Sequence, residues 1–117
     1  MYFKINGTDF SHLVSEMKVG YETLVSDSSG RNAAGDAIVD VINRKVKVYI
    51  TLRHCFEDEM REFLGSIKDY VVNVGFLNPE TNGISTIVAY TGTPEPEYYT
   101  ISTRTIYKPM SINFIEL

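Results

Sequence analysis

The sequence predicts an α+β domain that is mainly β: an antiparallel sheet, or a small β-barrel or sandwich, of six or seven strands with one amphipathic helix at about 56–68. Three observations carry this. Apolar and polar residues alternate in several short runs, the pattern of strands with one buried and one wet face. The period changes to helical spacing once, beginning at Phe56. Clusters of Gly, Pro, Asn and Asp separate the runs, as hairpin connections require. A doubly wound parallel sheet is excluded by the lack of alternation between strands and helices.

Taken in chain order, Phe3 and Ile5 alternate ahead of Asn6-Gly7, a short strand closed by a tight turn. Leu13 to Val25 carries Val14, Met17, Val19, Tyr21 and Leu24, which suit a bent strand, while the Leu13 to Met17 spacing also suits a helical turn. Strand is the reading taken, with Gly20 as the place for a bulge or bend. Ser26 to Asp36 (SDSSGRNAAGD) has two glycines and no apolar period, so it reads as a loop, long for a compact domain and therefore a candidate partner-contacting arm.

Ala37 to Val41 is expected as a strand and Asn43-Arg44 as a turn. The clearest strand follows: Val46, Val48, Ile50 and Leu52 alternate with Lys45, Lys47, Tyr49, Thr51 and Arg53. Phe56, Met60, Phe63, Leu64 and Ile67 then mark one face of a helix, with Glu57, Asp58 and Glu59 in its first turn, where carboxylates complement the helix dipole, and Lys68 near its end. Val72, Val74 and Phe76 alternate again, Asn78 to Gly83 is dense in turn formers, and Ile84 to Tyr90 completes a hairpin. Gly92 to Glu97 holds two prolines and is a loop. Tyr99, Ile101, Thr103, Thr105 and Tyr107 follow at period two, Pro109 interrupts, and Met110, Ile112 and Phe114 end the chain as a strand docked in a sheet.

At 117 residues, one domain spanning 1–117 is expected, large enough to fold without metal or disulfide. Fifteen acidic against eleven basic side chains, the latter scattered, remove the electrostatic basis for nucleic-acid binding. Cys55 stands alone, so no intrachain disulfide forms, and a buried thiol is its ordinary role. The N-terminal segment lacks the apolar run of a signal peptide, and no stretch is long enough to span a bilayer, which places synthesis in a cytoplasm and excludes a membrane partner.

Chemistry finds little footing. Gly30 and Gly35 have the glycine spacing of a phosphate loop, but Asp36 and Ala37 occupy the positions of its lysine and hydroxyl residue. His54 and Cys55 are neighbours on a strand and point to opposite faces, so they do not share a metal. A Cys55–His12 pair is open only in the sense that the two can meet in space. Glu57, Asp58, Glu59 and Glu62 suit a solvated helix start better than a metal site, and Glu95 and Glu97, flanking Pro96, do not face one another as glycosidase carboxylates must. No catalytic, cofactor or metal residues are therefore assigned, and no enzyme activity is expected. The eight tyrosines, Tyr98, Tyr99 and Tyr107 among them, leave a second function class open: a module that holds a glycan or peptide on an aromatic sheet face.

The order of short signals adds to this. Ile5-Asn6-Gly7, Arg31-Asn32-Ala33 to Gly35, Asp40-Val41-Ile42, Lys45-Val46-Lys47-Val48, the acidic helix, Asn78-Pro79-Glu80-Thr81 with Gly83, Thr86, Tyr90-Thr91-Gly92 and the ending Ser111-Ile112-Asn113-Phe114-Ile115-Glu116 together resemble the short proteins encoded among tail and baseplate genes of phages and prophages of Gram-positive bacteria. The resemblance spans nearly the whole chain and brings no active-site signature. It implies a virion structural protein that packs with copies of itself, as a homo-oligomer or ring, and with other tail or baseplate proteins. The subunit-contact candidates are Ser28, Gly30, Arg31, Asn32, Gly35 and Asp36 in the first long loop, and Pro94, Glu95, Glu97, Tyr98 and Tyr99 in the second.

Overall fold

The computed structural model describes residues 2–25, 30–31, 37–38 and 41–117. In chain order these form β1 (Phe3–Ile5), β2 (Thr8–Asp9), a single 3-10 turn (Ser11–Leu13), β3 (Val14–Val25), β4 (Gly30–Arg31), β5 (Ala37–Ile38), β6 (Val41–Leu52), β7 (Cys55–Phe56), α1 (Glu57–Ile67), β8 (Val71–Asn78), β9 (Gly83–Thr91), β10 (Tyr98–Thr100), β11 (Ile106–Tyr107) and β12 (Ser111–Glu116). Seven strands make one sheet in the order β2-β1-β8-β9-β12-β6-β3, and β10-β11-β7 make a second; every pairing is antiparallel.

Neither sheet closes, so the barrel among the expected architectures is replaced by an open sheet. The large sheet ends in β2, two residues long, on one side and in β3, twelve residues long, on the other. Asn6 and Gly7 both have positive φ, at 50° and 86°, which makes the expected β1–β2 turn the primed type that follows strand twist.

One face of the large sheet and α1 enclose the core. Met60, Phe63 and Ile67 from the helix meet Phe3, Ile5, Val48, Ile50, Leu52, Val74, Phe76 and Phe114 from the strands, all buried. The Phe63 ring packs edge-on against Phe10, with centroids 5.5 Å apart, and Phe3 tilts against Phe114 at 5.7 Å. Each of these aromatic pairs contributes on the order of 1 kcal/mol beyond the area it buries.

Arg53 joins the sheet to the helix. Its main-chain N–H donates to the Leu13 carbonyl at 2.8 Å, and its guanidinium donates to the His12 and His54 carbonyls at 2.9 and 2.7 Å. The same group forms an ion pair with Glu59 at 2.8 Å. Glu59 in turn accepts the Phe56 N–H at 3.0 Å, the half of a capping box that needs no oxygen on the Phe56 side chain. Helix bounds of Glu57–Ile67 agree with the expected 56–68.

Three local expectations are corrected. Asn43 and Arg44 pair in register with Leu24 and Thr23, inside β6, so no turn lies there; continuous pairing along β3 overrides the local turn preference. Gly20 sits in register opposite Lys47, and the irregularities fall instead between Val14 and Glu16 and between Leu24 and Val25. The period-two run from Tyr99 is two short strands, β10 and β11, folded on each other and on β7, because the connection through Ser102 to Thr105 turns the chain back.

The Arg53 ion pair and the Phe56 N–H bond hold the Glu59 carboxyl below its ordinary pKa. Its contribution is complete above the unfolded-chain value of about 4.3 and is lost as pH falls through the lower folded value. Glu59→Gln should lower stability by about 1 kcal/mol near pH 7 after allowance for solvent screening. Denaturant titrations should show the gap between wild type and variant closing below about pH 4.

Candidate functional site

Strands β3 and β6 are each twelve residues long, which at about 3.3 Å per residue gives roughly 40 Å of ribbon. The neighbouring strand β12 accompanies β6 only from Thr51 to Lys47. The remainder, from Val46 to Val41 with Tyr21 to Val25, extends past the end of β12 as a two-stranded arm. Its effect on shape is large: the radius of gyration is 18.3 Å and the longest extent is 71 Å, against about 13 Å expected for the radius of a compact chain this size. Beyond the arm, Gly30–Arg31 pair with Ala37–Ile38.

The base of the arm is latched to the β8–β9 turn. Tyr21 Oη donates to Asn78 Oδ1 at 2.5 Å, and Arg44 forms two bonds to Glu80, at 2.6 and 3.0 Å. The Arg44 guanidinium lies over the Tyr21 ring, 4.6 Å from its centroid. Asn78 is itself fixed by a bond to Ser85 at 3.2 Å. The latch thus ties strands from opposite halves of the sheet without completing a barrel.

The second candidate region leaves the far end of the molecule. Thr91 pairs with Phe114, and β9 points away from the arm at that level, so the 92–97 loop departs at the end of the sheet opposite the arm. Gly92 donates its N–H to the Asn113 carbonyl at 2.8 Å as the loop begins. The loop feeds β10, where Tyr98 and Tyr99 are each 63% exposed and the neighbouring Ile101 is 69% exposed. The Tyr99 ring stacks edge-on against His54 at 5.3 Å, and Tyr98 lies over Tyr107 at 5.1 Å. Lys108 clasps the loop, with its N–H on the Glu97 carbonyl at 2.8 Å and its ammonium 3.7 Å from the Glu97 carboxylate. Pro94 is half-buried and Glu95 is exposed.

The expected contact residues therefore divide. Pro94, Glu95, Glu97, Tyr98 and Tyr99 share one end of the molecule. Gly30 and Arg31 lie in β4, and Ser28, Asn32, Gly35 and Asp36 fall outside the described residues. Of the first loop, the described Gly30 and Arg31 lie beyond the arm, away from the end that holds Pro94, Glu95, Glu97, Tyr98 and Tyr99.

Cys55 is fully buried, and burial pushes its thiol pKa up, which opposes a thiolate role. His54 is exposed, but it lies in the bend between β6 and β7 and not on a strand with Cys55, because β6 ends at Leu52 and β7 begins at Cys55. Among the described residues, no three His, Cys, Asp or Glu side chains are placed to hold a metal, and no helix is long and apolar enough to cross a membrane.

Sequence reasoning passed over three features. The Arg44–Tyr21–Asn78 latch links residues far apart in the chain, for which periodicity gives no signal. Tyr70 has φ of 72°, a left-handed conformation that is unusual for a bulky residue, at the joint between α1 and β8; its Cα position follows a helix end where glycine is the common choice. On the sheet face away from α1, Val71, Leu77, Ile84 and Val88 are half-exposed, and Leu77 and Ile84 are direct cross-strand partners.

No protein-family model matches the sequence, and no curated protein matches it. Among solved structures, the chain is similar to a protein in the tail of an empty GTA particle determined by helical refinement with C6 symmetry. The TM-score is 0.61 at 9% identity, covering 90% of this chain and 78% of the other. At that identity the likeness shows a shared fold.

Cutting the latch with Tyr21→Phe and Glu80→Ala together should speed amide exchange along residues 21–23 and 43–46 several-fold. The β8–β9 ladder should remain as protected as in the wild type, because its pairing does not depend on the arm.

Proposed function

We propose that this chain is a non-enzymatic structural protein of a phage or prophage-derived tail, tail tip or baseplate, residing in the virion tail and assembling through contacts with its own copies and with other tail proteins. The observation that carries the reading is the fold shared with a chain of the GTA particle tail over 90% of the present sequence. The shape supports it: an arm at one end and an exposed loop at the other are what a subunit needs to touch successive neighbours head to tail. Heterologous contacts of that kind close into rings when the rotation permits. The C6 symmetry of the similar tail makes six the number to look for. The Gram-positive setting rests on the sequence resemblance alone.

Concentrated purified protein should form discrete rings in negatively stained images. Deleting Ser28 to Ala34 should abolish them while leaving the thermal unfolding of the body unchanged. Strictly monomeric protein that also fails to capture neighbouring tail gene products would refute the reading.

Exposure of Tyr98 and Tyr99 favours one further reading, a sheet edge that holds a glycan or peptide through its aromatic rings. Under it, Tyr98→Ala with Tyr99→Ala should remove binding on a glycan or peptide array without altering ring formation. A blank array for the wild-type protein would remove this reading.

A further inference from the structure

The seven-stranded sheet has two edges of very different kind. Edge strands usually avoid stray pairing by being short, by carrying proline or charge, by bulging or by being covered. β2 is two residues long and meets that need. β3 meets it only in part: it carries Glu16, Lys18 and Glu22 and is irregular near both ends, but it runs for twelve residues, contains no proline, is regular from 16 to 24, and among the described residues pairs only with β6. Its outward-facing amide and carbonyl groups form a ledge of roughly 40 Å, longer than the 27 Å width of the molecule.

The side chains on the ledge select what fits it. On the sheet face away from α1, β3 presents Glu16, Lys18, Gly20 and Glu22; Lys18 lies over the Tyr49 ring at 4.8 Å, and Glu22 bonds Lys47 at 2.6 Å on that face. On the core face it presents Met17, Val19 and Tyr21, all only partly buried. A strand pairing with its own copy in antiparallel fashion can centre the two-fold axis on different residues, and the charges separate the choices. An axis at Lys18 sets lysine against lysine. One at Val19 sets Glu16 against Glu22. An axis at Met17 does match Glu16 with Lys18, but it uses the irregular stretch between Val14 and Glu16.

An axis at Gly20 sets Lys18 opposite Glu22 twice, Val19 opposite Tyr21 twice and Met17 opposite Thr23 twice, over the regular stretch 16–24. The residue on the axis has no side chain to crowd its copy. We infer that the free edge of β3 is a docking site for a second copy of this chain, paired antiparallel about Gly20 with reciprocal Lys18–Glu22 contacts. Two seven-stranded sheets then join edge to edge, with the partly buried Met17, Val19 and Tyr21 rows of both copies meeting on one face. The pairing is isologous and closes on itself, so it gives a dimer rather than a ring. It uses the side of the sheet and not the two ends proposed for ring contacts, so it stands apart from the virion reading and should persist in the Ser28 to Ala34 deletion that abolishes rings.

Sedimentation equilibrium of the wild type over a concentration series should show a dimer. Lys18→Glu should weaken it about tenfold, because two attractive cross-strand pairs become repulsive. The double exchange Lys18→Glu with Glu22→Lys should restore it. A Cβ at Gly20 would meet Tyr49 at 3.5 Å, an ordinary contact, so Gly20→Cys is compatible with the fold. Under oxidation that variant should cross-link to its own copy, and Glu16→Cys should not. Amide exchange of the wild type serves where a variant folds poorly: protection along 16–24 should rise with protein concentration. A monomer at every concentration would assign the ledge to a strand of another protein and overturn the proposal. So would a dimer or ring indifferent to the charge exchange, or one that leaves β3 amides unprotected.

Discussion

Everything in this molecule hangs on one buried seam, the contact of Met60, Phe63 and Ile67 with a single face of the large sheet. An antiparallel sheet can leave one face in water if the other is covered, and α1 provides the main cover, joined by Phe10, Leu13, Cys55 and Met110. The helix is eleven residues long, about 16 Å, less than half the reach of β3 and β6. Coverage therefore runs out before the ribbon does. The strands continue as an arm because their hydrogen bonds to each other persist where the core has ended, and the Tyr21–Asn78 and Arg44–Glu80 bonds steady the place where this happens.

Uneven coverage also accounts for where the polar chemistry sits. Ionisable groups of the body serve the joints: Arg53 and Glu59 tie the sheet to the helix start, and Lys108 holds Glu97 as the 92–97 loop meets β10. The thiol of Cys55 is buried and donates to the Arg53 carbonyl at 3.1 Å. What remains outside is a set of ends and edges, with aromatic rings at one end, a ribbon at the other and, among the described residues, the open edge of β3 along the side. Such an inventory suits contact between proteins, where backbone edges and exposed tyrosines are the useful groups.

Legibility in the sequence followed the range of the interactions. The β6 alternation from Lys45 to Arg53, the helix marked by Phe56 through Ile67, the Asn6-Gly7 turn and the Asn78 to Gly83 turn were all readable, since each depends on neighbours a few residues away. Asn43-Arg44 misled because its turn preference is weak beside eleven registered pairs with β3. The split into two sheets was hidden for a related reason: β10, β11 and β7 are two or three residues each, too short for a period to register. Of the contact candidates, Tyr98 and Tyr99 are exposed but lie on strand β10 and not in the loop, and the long edge of β3 could not be recognised until strand order was known. Alternation tells which residues face inward, but says nothing of which strand comes last.

The arm has a mechanical meaning. From Val46 to Val41 the arm is a lever of roughly 20 Å whose fulcrum lies where the sheet ends, beside Tyr21 and Arg44. Turning it by about ten degrees carries the far end through about 3.5 Å, close to the rise of one residue along a strand. Angular error at the base is thereby converted into a whole step of misalignment at the tip, and the small cluster of phenol, guanidinium and carboxamide at the fulcrum sets how finely the molecule can aim.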